Sequence, residues 1–227
     1  MTAVVAIASA KGGVSKTTLA VALGCDLALD GLRVTILDCD LNQHASQFGR
    51  KSQLAGFTVM SNVTEENILA QLRAVRDGVD LVFLDLPGVT SRLNMMALQK
   101  SNFVLIPCQA SLLDVRDALR TEQQVADAAE LSERDIACAF VWTRVPATFE
   151  SRAGRECRRR LEERGLPIFR SVLMERTAFR EMFLTGRSPR EIDPPDRPSA
   201  ATTNVRALSA ELIERLAELA RRKEEAA

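Results

Sequence analysis

A net charge is missing from this 227-residue chain: 30 basic side chains stand against 30 acidic ones, so composition as a whole points to no polyanion partner. Close cysteine pairs are missing too. Cys25, Cys39, Cys108, Cys138 and Cys157 lie singly in apolar or helical stretches, an odd set whose spacing suits neither zinc nor a disulfide framework. They read as reduced thiols of a cytoplasmic protein. No apolar run approaches the roughly 20 residues needed to span a bilayer. The opening run Val4–Ala8 has no basic segment before it and meets glycines too early for a signal sequence. The single histidine, His44, sits on a polar helix start and suggests no catalytic imidazole. What remains is a chain 46% apolar, long enough to bury a full core as one domain over residues 1–227.

Short runs apolar on both faces recur at Ala3–Ser9, Arg33–Asp38, Leu81–Leu86, Phe103–Pro107, Ile136–Trp142 and Pro167–Leu173, as strands buried between helix layers require. Helical patterns fall between them, at Lys16–Asp30, Gln43–Lys51, Glu65–Arg76, Ser91–Lys100, Leu113–Leu131 and Phe149–Arg164. This alternation predicts an α/β fold: a doubly wound, mostly parallel sheet with helices on both faces and ligand chemistry at the carboxyl ends of the strands. A Pro-rich connection near 189–198 leads to a last helix at about 203–223. That helix carries an apolar stripe, Val205, Leu208, Leu212, Leu216 and Leu219, but no aromatic anchor, and Glu211, Glu214 and Glu218 interrupt it. Packing on the core is the expected use rather than lying on a membrane.

Lys11-Gly12-Gly13-Val14-Ser15-Lys16-Thr17-Thr18 joins the first strand to the first helix, the context that makes a glycine loop a phosphate cradle. Its glycines let the backbone wrap a triphosphate while successive amides and the helix N-terminus face the oxygens. Lys16 would neutralise the β and γ phosphates and the Thr17 hydroxyl would ligate Mg²⁺. Asp80-Leu81-Val82-Phe83-Leu84-Asp85 is an apolar strand ending in a carboxylate, the form that holds Mg²⁺ indirectly beside such a loop. Asp38 and Asp40, in Leu37-Asp38-Cys39-Asp40-Leu41-Asn42-Gln43, end a neighbouring strand. Asp40 also has a plainer reading, as a cap for the helix that follows.

The loop resembles the deviant Walker A box of the ParA/MinD family of P-loop NTPases, in which Lys11 is the additional early lysine. The resemblance implies a slow, partner-stimulated ATPase in which Lys11 reaches across a homodimer to the partner's nucleotide. It also implies that Asp38 supports the metal through water, that Asp40 positions or activates the attacking water, and that Pro87-Gly88 begins a γ-phosphate-sensing switch. Thr143 and Arg144 match positions that line the adenine pocket. Likeness extends to Gln109-Ala110-Ser111-Leu112-Leu113-Asp114 and to Arg176-Thr177-Ala178-Phe179, favouring the ParA branch. Two positions depart from the pattern: Ser15 stands where glycine is usual, and Leu41 where proline is. If the Ser15 position needs φ > 0, serine costs roughly 1 kcal/mol, so weakened nucleotide affinity is expected. Because the loop begins so early, operator binding through an N-terminal helix-turn-helix extension is not expected.

Between Arg144 and Arg190 the sequence holds twelve arginines against six glutamates, a local surplus of 12 − 6 = +6. The surplus suits sequence-independent contact with phosphate backbones, and the resemblance implies non-specific DNA binding by the ATP dimer, placing the protein on the nucleoid. A solvated helix face with Arg–Glu pairs is the competing account. The expected role is to partition plasmid or chromosome DNA, or to position a protein cargo, through a centromere-binding protein or a cargo adaptor. A non-hydrolysing binding module and an electron-transfer ATPase like the nitrogenase iron protein are the alternatives, the second disfavoured by the positions of Cys108 and Cys138 on strands.

Overall fold

The computed structural model describes residues 2–146 and 152–225. The strands are β1 (Ala3–Ile7), β2 (Val34–Asp38), β3 (Phe57–Met60), β4 (Leu81–Asp85), β5 (Phe103–Cys108), β6 (Ala137–Val145) and β7 (Leu173–Met174). The helices are α1 (Lys16–Leu29), α2 (His44–Gly49), α3 (Ile68–Arg76), α4 (Arg92–Lys100), α5 (Leu112–Ser132), α6 (Arg152–Glu162), α7 (Ala178–Thr185), α8 (Pro189–Ile192) and α9 (Ala200–Glu225).

The strands form one sheet in the order β3-β2-β4-β1-β5-β6-β7, with every pair parallel. Alternating side chains of each strand feed opposite faces. Val5 and Ile7 face a layer made by α1, α2, α7 and α9, while Val4 and Ala6 face one made by α3, α4, α5 and α6. Apolar residues on both faces explain why the strand segments read as continuous hydrophobic runs. Chain order reverses about β1, so the loop after β1 opens into the crevice between strands wound in opposite senses, where α/β sheets bind ligands.

The expected helix over 203–223 starts three residues earlier, and its stripe packs as predicted: Val205, Leu208 and Leu212 are buried, and Leu216 and Leu219 lie against the same core. The predicted helix over 149–164 is present from Arg152; its residues 149–151 lie outside the described residues. The predicted strand Pro167–Leu173 is a correction. Ile168 makes one parallel bridge to Phe140, and the chain rejoins the sheet only at β7. Between these points the backbone amides of Arg170 and Ser171 donate to the Glu211 carboxylate of α9, at 2.9 and 2.8 Å, and so have no sheet partner. The edge strand β3 was not predicted; it is four residues long and only Phe57 is buried.

Candidate nucleotide site

Each end of the β1–α1 loop is anchored from a different element. Ala10 N donates to Thr121 Oγ1 of α5 at 3.0 Å, and Thr143 Oγ1 donates to the Val14 carbonyl at 3.1 Å. Gln109 Nε2 donates to the Gly13 carbonyl at 2.9 Å, and Lys16 Nζ to the Lys11 carbonyl at 3.0 Å. With these carbonyls turned outward to side chains, the loop lines a cavity of about 450 Å³ together with Asp40, Asn42, His44, Gln47, Arg144 and Phe183. Gly12, Gly13, Ser15, Lys16, Thr17 and Thr18 all line it. Val14 does not: it is buried, and its carbonyl accepts from Thr143. Thr143 is also buried and holds the loop from beneath rather than lining the cavity.

Lys16 is 6% exposed, and burial lowers its pKa against the opposing pull of Asp85 and Asp40. An anion in the cavity would restore the solvation that this ammonium has lost. Ser15 does adopt the left-handed conformation, with φ 69°, so the departure from glycine carries its steric cost.

Asp38 and Asp85 are register partners on adjacent strands. Asp38 is committed locally: Oδ2 accepts from Ser46 N and Ser46 Oγ at 2.8 and 2.7 Å, and Oδ1 from Asp40 N at 3.2 Å. Among the described residues neither oxygen of Asp85 accepts a hydrogen bond of normal geometry, although both are buried and the Thr17 hydroxyl is close enough to act on them. Burial pushes its pKa up to about 7, while Thr17 and Lys16 pull it down and Asp38 and Asp40 raise it. An unpartnered carboxylate this deep fits a hydrated divalent cation beside Thr17, the group that would satisfy it. Asp40 accepts from Asn42 N and Nδ2, both at 2.9 Å, at the cavity edge. It does not cap α2, whose N-cap is Gln43.

The segment after β4 closes tightly on the loop. A Cβ at Gly88 would lie 2.6 Å from Gly12 N and 2.8 Å from the Lys11 carbonyl carbon, so only glycine fits without displacing backbone. Asn94 Nδ2 donates to the Val89 and Pro87 carbonyls at 2.6 and 3.3 Å, pinning the segment to α4.

Lys11 stands apart from its own cavity. Its Nζ lies 2.8 Å from Asp114 Oδ1, with 42% of the side chain exposed. Asp114 is in turn held by Ser111, the N-cap of α5. The Asp114 hydrogen bond raises the Lys11 pKa, with burial opposing it.

Over residues 2–192 the sequence matches the family model described as VirC1 protein. It is 33% identical to Protein ParA of Rhizobium radiobacter, an alignment covering 96% of this chain and 99% of that one.

The chain belongs to the VirC1/ParA family.

Within this family of partitioning and positioning ATPases, the sequence is also 32% identical to Protein virC1 of Rhizobium radiobacter, over 77% of each chain. Among solved structures, apo McdA from Cyanothece superposes with a TM-score of 0.76 at 20% identity, over 92% of this chain and 100% of that one. The Pyrococcus furiosus cell division ATPase MinD gives 0.71 at 21%, over 95% and 100%. At these identities the structural matches establish the fold shared by VirC1/ParA and MinD proteins, which is the P-loop α/β fold read from the sequence.

Sequence reasoning missed Thr121, which ties α5 to the loop. The available signal was a lone hydroxyl on the buried stripe Val115, Ala118, Val125 and Ala128. Gln109 and Asp114 were noticed for their likeness, with no role attached.

Proposed function

We propose that this chain is an Mg²⁺-dependent ATPase that dimerises on ATP, binds DNA non-specifically as that dimer, and lets go after slow hydrolysis stimulated by a partner protein. The observation that carries this reading is Lys11, a loop lysine that does not line the phosphate cavity of its own chain and waits on Asp114 at the rim. A second copy brought face to face would offer it a nucleotide to pair with. Exposed apolar side chains support such a face: Leu41 after β2, Val89 after β4, and Leu112 and Leu113 after β5 stand at the same edge of the sheet as the loop.

In this reading Lys16 neutralises the terminal phosphates and Asp40 orients water from the cavity edge. Asp85, Asp38 and Thr17 hold the Mg²⁺, which supplies charge neutralisation at the phosphates. Gly88, lying against Gly12, carries the state of the phosphates into the Pro87–Thr90 segment.

The DNA surface is narrower than the arginine count suggests. Arg170 pairs with Glu214, and Arg190 with Asp26 and Asp30, all acids outside the counted segment. Arg159 and Arg160 pair within α6 with Glu156. Where α5 and α6 meet, Arg116 and Arg164 line one groove with Glu163 and with Arg120 and Arg160, which pair with Asp117 and Glu156, and Arg116 and Arg164 are the cations this reading offers to phosphates. On the nucleoid, the cycle would partition a plasmid or chromosome through a centromere-binding protein, or position a protein assembly through an adaptor.

The non-hydrolysing alternative draws on the left-handed Ser15 and on Leu41, which is 96% exposed where a proline would stiffen the turn. The electron-transfer alternative finds no support in the thiols. Burial pushes Cys138 up to about 11 and Cys108 higher, and each lies within a strand. DNA binding measured with ATP, ADP and no nucleotide, alongside phosphate release, tests the proposal. Binding with ATP alone, abolished in Lys16→Ala, is the expected result. ATP-dependent binding without phosphate release establishes the non-hydrolysing module in its place.

A further inference from the structure

Two non-glycine residues with left-handed backbone meet at the nucleotide cavity. Ser15 has φ 69° and Arg144 φ 51°, and Arg144 Nε donates to Ser15 Oγ at 3.4 Å. Arg144 reaches this position because the β6–β7 pairing shifts register between Thr143 and Val145. An irregularity of this kind at a strand end re-aims a side chain that would otherwise follow the pleat. Left-handed non-glycine residues persist only where their surroundings hold them, and they gather at ligand sites. The serine that departs from the family's glycine thus supplies an oxygen that glycine lacks, and that oxygen is used.

Arg144 also has a particular place among the cavities. It lines the phosphate cavity with Lys16 and Thr17, and equally a neighbouring cavity of about 300 Å³ that includes Met174, Phe179 and Arg180. Ser15 and Thr18 are shared by both cavities as well. The first has the lysine and loop of an anion cradle, and the second sets Leu173, Met174 and Phe179, against which a flat base could rest, among the charged Glu175, Arg176 and Arg180. A nucleotide laid across the two puts its α-phosphate and ribose at the boundary. A guanidinium there matches phosphate oxygens in charge and in fork geometry.

We infer that Arg144, seated by the Ser15 hydroxyl, grips the α-phosphate of the bound nucleotide, and that Ser15 is its positioning residue. The inference rests on the nucleotide-binding reading above and deepens it. Because ATP and ADP both carry an α-phosphate, the contact adds affinity for each alike and does not sense the γ-phosphate. Serine at this position is therefore coupled to arginine at 144, and a glycine in its place would relieve backbone strain while releasing the guanidinium.

Calorimetric titration of ATP and of ADP, with Mg²⁺, into wild type, Ser15→Ala, Arg144→Ala and the double variant tests this. Arg144→Gly, which also removes the left-handed strain, serves as a second variant should Arg144→Ala fold poorly. Arg144→Ala is expected to weaken ATP and ADP by the same factor, about tenfold. Ser15→Ala is expected to weaken both by about threefold in the Arg144 background and to have no effect once Arg144 is gone. Equal effects of Ser15→Ala in both backgrounds overturn the positioning role. A loss confined to ATP overturns the α-phosphate assignment. Failure of wild type to bind either nucleotide sinks the nucleotide-binding reading itself, and this inference with it.

Discussion

Asp85 is a buried carboxylate whose surroundings disfavour its charge. Its folded pKa, raised to about 7 from an ordinary 3.8, means that the folded state holds this proton more tightly than the unfolded chain. A raised folded value gives stability that is full below the unfolded pKa and is lost as pH rises through the folded one. Asp85→Asn should therefore raise the apo stability, and the melting temperature with it, little at pH 4 and most above pH 7, by an amount of order 2–4 kcal/mol. The same variant should lose the extra stability that Mg²⁺ with nucleotide gives the wild type. A stability difference that does not change with pH would contradict this account. Gly88 is the other residue whose identity is dictated by contact. Gly88→Ala must move the loop backbone at Gly12, and a tenfold or greater loss of nucleotide affinity by titration is expected. Unchanged affinity would show that the approach of these backbones is not needed for binding.

At the scale of elements, α9 does more than cover a face of the sheet. Glu211, 4% exposed, accepts the amides of Arg170 and Ser171, and Arg215 of the same helix donates to it at 2.9 Å. Burial alone would raise the Glu211 pKa; the two amides and Arg215 outweigh burial and hold it below its ordinary 4.5. A lowered carboxylate pKa gives stability that is present above the unfolded value and is lost as pH falls through the folded one. Glu211→Ala, which leaves two amides without partners, should cost about 2–4 kcal/mol in denaturant unfolding at pH 7. The cost should shrink below about pH 4; if it does not, the carboxylate is not the stabilising form. This contact also explains what the sequence could not show. Residues Pro167–Leu173 are apolar enough for a strand, but the carboxylate that takes two of their amides lies some 40 residues further on. The place of the loop Lys11–Thr18, by contrast, was legible, because its lysines, glycines and threonines are contiguous and lie between a strand and a helix. Its anchors Thr121 and Thr143 lie more than 100 residues away and join it only through folding. The partners of that arginine surplus were hidden in a similar way, since the acids that pair with Arg170 and Arg190 come from α9 and from α1 and its C-cap Asp30.

For the whole molecule, strand order brings three carboxylates, one phosphate loop and a row of exposed apolar side chains to a single edge of the sheet. The loop's first lysine is held outside its own cavity by Asp114, and on this contact the proposed face-to-face dimer rests. Sedimentation velocity of wild type and Lys11→Ala, each with ATP, ADP and no nucleotide, tests this most directly. The account predicts that wild type becomes a dimer with ATP alone, and that Lys11→Ala still binds ATP yet remains a monomer. A Lys11→Ala protein that dimerises on ATP as readily as wild type would contradict it.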